Sequence, residues 1–263
     1  MSTLLKAAWR YRGFIASSVV NEFKSRVSRS HFGVAWVVLQ PMAQVLIFAT
    51  VLSNVLAAKL PGIDNKYAYA VYLMAGTACW SLFAEVIQRC VTVFIDNGSL
   101  LKKVQFPRIA LPAISIGASL VNNVALLAVV LVILPLMGIL PTLEFLWLPV
   151  LLLLTAALAA GIGLMLGALN VFARDIGQVV PVVLQFWFWV TPIVYPATIV
   201  PAGFGRTLAF NPVMPLVQGY QNVILYGKAP PITLIWVAAL AAVLLLVSLV
   251  IVRRASPEMV DVL

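Results

Sequence analysis

The segment Asp96–Pro112, DNGSLLKKVQFPRIALP, decides how this chain is organised, because it is strongly basic and lies between two long apolar runs. Asp96-Asn97-Gly98 interrupts the hydrophobic period, and Asn and Gly tolerate the positive φ at which helices often end. Leu100–Phe106 then has the pattern of a short helix with one apolar face, which Pro107 terminates. We predict a short, charged element between two membrane spans. It is either a contact for a cytoplasmic partner or a basic loop held at anionic lipid head groups.

The composition is that of a membrane protein. Of 263 residues, 63% are apolar and only 10% are charged, and the mean hydropathy is +1.08. A soluble domain carries about 25% charged residues. The formal charge of +9 is distributed over the ends of apolar runs and not along one face. It therefore indicates membrane topology and argues against nucleic-acid binding.

Six apolar runs are candidate membrane spans, although the fifth is short and contains Pro181 and Pro192. A bilayer core of about 30 Å requires about 20 apolar residues. We predict an all-α membrane protein that forms a single membrane domain: an amphipathic helix within residues 1–31, a six-span bundle over 32–252 and a tail over 253–263. The predicted spans are Phe32–Ala57, Tyr69–Phe94, Leu111–Leu136, Leu146–Val171, Val179–Tyr195 and Ile232–Val252.

Residues 2–30 place apolar side chains at three- to four-residue spacing, with basic side chains between them. This pattern is typical of a helix that lies in the membrane interface. The apolar positions are Leu4, Leu5, Ala8, Trp9, Ile15, Val19 and Phe23.

The distribution of basic residues predicts the orientation. Thirteen Lys and Arg residues fall on one side of the predicted bundle and four on the other, so we expect both termini in the cytoplasm. Tyr67, Tyr69 and Tyr72 are then expected at the outer interface. The outer segment Pro196–Pro231 consists of apolar pieces too short to span. We predict re-entrant or interfacial half-helices there, between spans five and six, which either cap a passage or form a membrane-lying loop.

Two pairs of polar residues fall inside the predicted spans. Glu85 and Arg89 are four residues apart, so they share a helix face and can pair. The pair is either a gating or partner-contacting element or an anchor whose long side chains reach the interface. Asn122 and Asn123 lie in the middle of the third span, where we expect hydrogen bonds between helices.

Small residues and the two cysteines indicate which positions are packed inside the bundle. Gly163 and Gly167, with Ala159, form a small-residue face on the fourth span. Cys79 and Cys90 lie eleven residues apart, which fits no metal-binding pattern, so we predict buried free thiols.

The chain has no Gly-x-x-x-x-Gly-Lys-Ser/Thr motif to bind ATP. If the protein moves a substrate uphill, we expect the energy to enter from another chain. Its densest aromatic cluster is Phe186–Trp189. Such a cluster is either an interfacial belt with packing roles or a set of flat platforms for sugar rings. Phe186 and Trp189 are three residues apart and share a helical face, whereas Trp187 and Phe188 point elsewhere.

Several stretches, taken in order, resemble permeases of polysaccharide-exporting ATP-binding-cassette (ABC) transporters of the O-antigen, capsule and teichoic-acid type. RVSRSHFGVAWVVLQP, residues 26–41, resembles their opening, and LLKKVQFPRIALP, residues 100–112, their cytoplasmic coupling segment. NVFARDIGQVV, residues 170–180, is similar to their second inner loop. TPIVYP and FNPVMPLVQGYQNVILYGKAPP, residues 191–196 and 210–231, are similar to their outer gate region. His31 departs from the small or aliphatic residue that is more common there.

The resemblance implies a permease and not an enzyme, with no catalytic residues, metal or cofactor of its own. It implies a homodimer in the bacterial plasma (inner) membrane with two copies of a separate P-loop ATPase, which binds ATP and Mg. The N-terminal helix and the coupling segment would meet that ATPase, and the channel would carry a lipid-linked polysaccharide out of the cytoplasm. The residues so assigned are Leu100, Leu101, Lys102, Lys103, Phe106, Pro107 and Arg108 for ATPase coupling; Glu85, Arg89, Arg174 and Asp175 for the inner gate region; Trp80, Phe83, Phe186, Trp189 and Tyr195 for the channel aromatics; and Pro201, Asn211, Pro212 and Tyr220 for the outer gate.

Two alternatives remain at this point. An ABC permease for a small lipid or drug would share the fold. A membrane-embedded transferase acting on a lipid-linked sugar would need converging acidic or His side chains near one surface, and only Glu85, Asp96 and Asp175 lie near the predicted inner side.

Overall fold

The computed structural model describes residues 11–28, 39, 42–43, 47, 67–98, 109–196, 205 and 208–262. Every regular element in these residues is helical. A 3₁₀ turn, Leu143–Trp147, leads directly into the helix that begins at Leu148, and a π-helical turn, Asn222–Tyr226, continues the helix that ends at Gln221. The α-helices are α1 (Arg12–Ser28), α2 (Ala68–Asp96), α3 (Ala110–Leu136), α4 (Leu148–Phe172), α5 (Ile176–Val190), α6 (Val213–Gln221) and α7 (Leu234–Val262).

Four helical segments are long and apolar enough to cross a membrane: α2, α3, α4 with its preceding 3₁₀ turn, and α7 as far as Ala255. They contain 22 to 30 residues. At 1.5 Å per residue they extend about 33 to 45 Å, which exceeds a bilayer core of about 30 Å. The second, third, fourth and sixth predicted spans are therefore confirmed as helices of spanning length. The first, Phe32–Ala57, lies outside the described residues apart from Leu39, Met42, Ala43 and Ile47.

The bounds predicted for the fifth span are wrong. α5 begins at Ile176 and ends at Val190, so it contains 15 residues and Tyr195 lies beyond it. It ends there because the residue before a proline avoids the helical region, and Thr191, which precedes Pro192, has an extended ψ of 133°. α5 extends about 22 Å, which is less than a full bilayer core.

The last helix also differs from the prediction, whereas the first falls within its predicted residues. α7 continues past the predicted end at Val252 as far as Val262, so most of the predicted tail is helical. α1 is the described part of the predicted N-terminal helix; Val19 is buried on it and Ile15 is half-buried. Leu4, Leu5, Ala8 and Trp9 lie outside the described residues, as does the side chain of Phe23.

α2 lies at the centre of the bundle and packs against one antiparallel and one parallel helix. It runs antiparallel to α3, since Glu85 bonds to Asn122 and the earlier residue Ala78 bonds to the later residue Asn123. It runs parallel to α4, because Cys79 contacts Thr155, and Val91 contacts Asn170. The bundle therefore has two ends. We call them the Arg89 end, where α2 finishes and α3 begins, and the Tyr69 end, where α2 and α4 begin.

The predicted small-residue face of α4 packs within the chain. A Cβ atom on Gly167 would lie 2.2 Å from the carbonyl oxygen of Cys90, and one on Gly163 would lie 2.8 Å from Cys90 Cβ. On another side of α4, a Cβ atom on Gly161 would lie 2.8 Å from Cβ of Leu244 in α7. The glycines therefore let α4 approach both α2 and α7 closely. Cys79 and Cys90 are buried free thiols, as predicted.

Candidate functional site

A partly buried polar cluster joins three helices at the Arg89 end. Arg89 Nε donates to Glu85 Oε1 at 2.9 Å, and Arg89 Nη1 donates to Glu22 of α1. Asn122 Nδ2 of α3 donates to the same Glu85 oxygen at 2.8 Å. We call these four residues the Arg89 junction. The Arg89 side chain is 15% exposed, and its Nη2 atom is buried without a hydrogen-bond partner among the described residues.

The junction confirms the predicted Glu85–Arg89 pair and adds a partner that the sequence analysis did not predict. Arg89 also reaches across to another helix, and the role of the pair as a gate or as an anchor stays a prediction. Glu22 lies 67 residues before Arg89, and no local sequence pattern relates two residues so far apart. One signal was available: Glu22 is the only acidic residue among the first 31, in a segment otherwise rich in Lys and Arg. Asn122 and Asn123 form the predicted hydrogen bonds between helices.

The connection between α4 and α5 lies at the same end. Arg174 and Asp175 are exposed in its turn. Asn170 fixes the turn to α2, because its Nδ2 donates to the carbonyl oxygen of Val91 at 2.9 Å and its Oδ1 accepts from the Gly177 amide at 2.8 Å. The four residues predicted for the inner gate region therefore share one end of the bundle, with Glu85 and Arg89 in the junction and Arg174 and Asp175 on the exposed turn.

A cleft of about 300 Å³ separates α2 from α5 at this end. Its walls are mostly apolar, and Arg89 is the cationic residue among them. The lining residues are Gln88, Arg89, Val91, Thr92, Gly177, Val180 and Pro181.

The aromatic cluster of α5 divides into two pairs. The pair that faces α2 consists of Phe188, which is buried, and Trp187, which is half-buried; we call it the buried aromatic pair. The Trp187 ring centroid lies 5.3 Å from that of Phe83, and the Phe188 centroid lies 5.6 Å from that of Trp80, both nearly edge to face. This geometry suits aromatic rings, whose positive edges meet negative faces. Phe83 has no exposed surface, so in this conformation its ring belongs to the packing between helices.

The exposed aromatic pair consists of Phe186 and Trp189. Phe186 is 70% exposed and Trp189 is 51% exposed. The two pairs therefore lie on different faces of α5, as their spacing predicted. What the exposed pair contacts stays a prediction. Tyr195 folds back on the end of this helix, with its hydroxyl donating to the carbonyl oxygens of Trp189 and Val190 at 3.0 and 3.1 Å.

Asn211 ties the end of α5 to the start of α6. Its Oδ1 accepts from Trp187 Nε1 and from the Val213 amide, both at 3.0 Å. Its Nδ2 donates to Thr191 Oγ1 at 2.9 Å. One buried amide side chain therefore caps α6 and holds the indole of the buried aromatic pair. Pro212, which follows it, is half-buried, and Pro201 lies outside the described residues.

α6 is short and buried. Val213, Leu216, Val217 and Tyr220 have no exposed surface. With nine residues in its α-helical part, α6 is too short to span a membrane. Its packing partners include α2 and α4. Tyr220, predicted for the outer gate, is thus part of the interior of the bundle in this conformation.

Tyrosines at the Tyr69 end hold the segment that follows α5. The Tyr69 hydroxyl donates to the carbonyl oxygen of Val194 at 2.5 Å, and the Tyr72 hydroxyl is 3.2 Å from that of Pro192. Tyr67 is exposed, but Tyr69 and Tyr72 are buried. Tyr69 and Tyr72 therefore face the interior of the bundle, and the depth of all three tyrosines in the membrane stays a prediction.

The predicted coupling residues, Leu100, Leu101, Lys102, Lys103, Phe106, Pro107 and Arg108, lie outside the described residues, as does His31. The residues that flank the coupling segment, Gly98 and Ile109, are both at the Arg89 end.

Helices of spanning length, small-residue crossings and amide hydrogen bonds between helices define the class: a multi-span α-helical membrane protein. Comparison with known proteins gives the family. The chain belongs to the ABC-2 type transporter family, whose profile matches residues 15–225. Members of this family are transmembrane permease subunits of transporters and generally work with an ATPase subunit.

Curated relatives extend over most of the chain. It is 28% identical over 248 residues to the O-antigen export system permease protein RfbA of Myxococcus xanthus, which covers 94% of this chain and 93% of that protein. It is 25% identical over 207 residues to the Klebsiella pneumoniae protein of the same name, with 78% of each chain covered. It is 21% identical over 242 residues to the polysialic acid transport protein KpsM of Escherichia coli, covering 91% of this chain and 92% of that one.

Proposed function

We propose that this chain is the transmembrane subunit of an ATP-driven exporter that moves a lipid-linked, O-antigen-like polysaccharide from the cytoplasm across the bacterial plasma membrane. Two copies form the passage, and two copies of a separate P-loop ATPase supply the energy and hold ATP and Mg. Support comes from relatives that are named for O-antigen export and polysialic acid transport and match most of this chain.

The observation that carries the substrate class is the exposed aromatic pair. Phe186 and Trp189 present large apolar rings on the surface of α5, while their neighbours Trp187 and Phe188 are turned inward. Flat apolar rings can stack on sugar rings without requiring a fixed hydrogen-bond geometry. Several weak contacts of this kind suit a moving polymer, because tight binding at one position would stop it.

The same pair favours a homodimer. Phe186 and Trp189 lie on the outside of the subunit and not within it. A passage that uses their rings therefore has to be completed by another surface, which a second copy of the chain supplies. α6 and the Asn211 contacts then act as the outer cap of this passage.

In the proposed orientation the Arg89 end faces the cytoplasm, together with both termini. Thirteen of the seventeen Lys and Arg residues are then on the cytoplasmic side, as positive charge is in most membrane proteins. The coupling segment Leu100–Arg108 and α1 would meet the ATPase there.

The test is deletion of the gene in the strain that carries it. We expect loss of the surface polysaccharide and accumulation of the lipid-linked polymer inside the cell, with both effects reversed by the wild-type gene. Extraction of glycolipid from cytoplasmic and surface fractions measures the result. Normal surface polysaccharide with no internal polymer in the deletion strain would refute the proposal.

A further inference from the structure

The Arg89 junction attaches α1 to the membrane bundle by charge. Glu22 accepts from Arg89 Nη1, and Arg89 Nε donates to Glu85 on its own helix. Asn122 of α3 donates to the same Glu85 oxygen. A movement of α1 away from the bundle would therefore leave a largely buried guanidinium with fewer partners, and its buried Nη2 already has no hydrogen bond within the described part of the chain. Glu22 itself is 31% exposed, so breaking the pair is unfavourable by a modest amount.

A second, independent contact fixes α1 to the same body. Val19 is buried, and its Cγ2 atom lies 2.8 Å from where a Cβ atom on Gly117 of α3 would be. The absence of a side chain at Gly117 is what lets α1 lie so close. The apolar contact and the ion pair are three residues apart on α1 and are directed to α3 and α2, respectively, so they resist both rotation and separation.

We propose that α1, α2 and α3 move as one body and that Glu22 is a positioning residue for coupling ATP hydrolysis to transport. This inference rests on the proposed function, in which the ATPase meets the chain at α1 and the coupling segment. The Glu22–Arg89 pair transmits displacement of α1 to α2, whose aromatic residues Trp80 and Phe83 in turn contact α5.

The first measurement follows the docking of α1 and needs no substrate. In a Cys79→Ala, Cys90→Ala background, a cysteine introduced by Val19→Cys is protected from a maleimide while α1 is docked. A partly exposed ion pair shifts such an equilibrium by about fivefold, so Glu22→Ala should raise the labelling rate by about that factor. Asn21→Ala is the matched control, because Asn21 is the exposed neighbour on the same helix. Equal labelling rates for the two variants would overturn the proposal.

The second measurement tests coupling. Val19 Cβ lies 3.9 Å from the position of a Cβ on Gly117, within the Cβ–Cβ range of a disulfide, so Val19→Cys with Gly117→Cys can lock α1 to α3. We expect the complex of the Glu22→Ala variant with the ATPase to hydrolyse more ATP per exported polymer than the complex of the parent chain. Oxidation of the double-cysteine variant carrying Glu22→Ala should return this ratio to that of the parent, and dithiothreitol should reverse the effect. A role in folding alone would lower the amount of complex without this rescue.

The outcomes separate the two proposals. If the disulfide stops export in the chain that retains Glu22, α1 has to separate during transport and the single-body proposal is wrong. It is equally wrong if Glu22→Ala leaves the ratio of ATP to exported polymer unchanged. If the wild-type complex exports no polysaccharide, the proposed function fails, and the labelling rates alone then decide whether Glu22 docks α1.

Discussion

The close crossing of α2 and α4 makes Gly167→Ala a sharp test of the packing. The new Cβ atom would lie 2.2 Å from the carbonyl oxygen of Cys90, so the two helices have to separate by about 1 Å to reach an ordinary contact. Overpacking of this kind costs about 1–3 kcal/mol. The clash is with backbone, so no side-chain change at position 90 relieves it. At Gly163 the nearest atom is instead Cys90 Cβ, and Cys90→Gly should restore part of the stability lost by Gly163→Ala.

The stability is measured by reversible unfolding of the purified protein in mixed micelles. We expect Gly167→Ala to lower the free energy of unfolding by about 1–3 kcal/mol. Two controls are available: Gly13→Ala, where the new Cβ would meet no described atom within 4 Å beyond its own stretch of helix, and Leu169→Ala, an exposed position two residues from Gly167. If Gly167→Ala matches these controls, α2 and α4 are not in the close contact described above.

Three further predictions concern transport. Leu at both positions of the exposed aromatic pair should slow polymer export while the complex still assembles and hydrolyses ATP. Leu at both positions of the buried aromatic pair should instead reduce the amount of stable protein. Equal export rates per assembled complex for the two double variants would contradict the assigned face. Glu in place of Lys102, Lys103 and Arg108 should uncouple ATP hydrolysis from export at normal subunit levels, and normal export in that variant would contradict the assigned coupling segment. Single cysteines at Ser2 and Leu263, in a chain lacking its native cysteines, should be inaccessible to an impermeant label in intact cells; labelling from outside would refute the orientation.

The sequence predicted those parts of the fold that depend on local pattern. α2, α3, α4 and α7 follow long apolar runs, and α2 ends at Asp96, next to the predicted Asn97-Gly98 stop. The Glu85–Arg89 pair follows from helical spacing, as does the division of the α5 aromatics into two faces. Each of these features depends on residues within a turn or two of one another.

The contacts that join distant segments could not be predicted. The Glu22 contact to Arg89, the bonds of Asn211 to Trp187 and Thr191, and the Tyr69 bond to Val194 all depend on how the helices are arranged. The early end of α5 reflects the restriction that Pro192 places on the residue before it. The apolar run continues through that position, so hydropathy alone places the end of the helix too late.

The shortness of α5 has a consequence for the length of the proposed passage. Fifteen residues extend about 22 Å, so α5 is about 8 Å shorter than a hydrocarbon core of about 30 Å is thick. A passage lined by the exposed aromatic pair would therefore be shorter along α5 than the bilayer around the dimer. The lipid-linked end of a polymer would travel a shorter distance between the two leaflets beside Phe186 and Trp189 than it would through undisturbed bilayer.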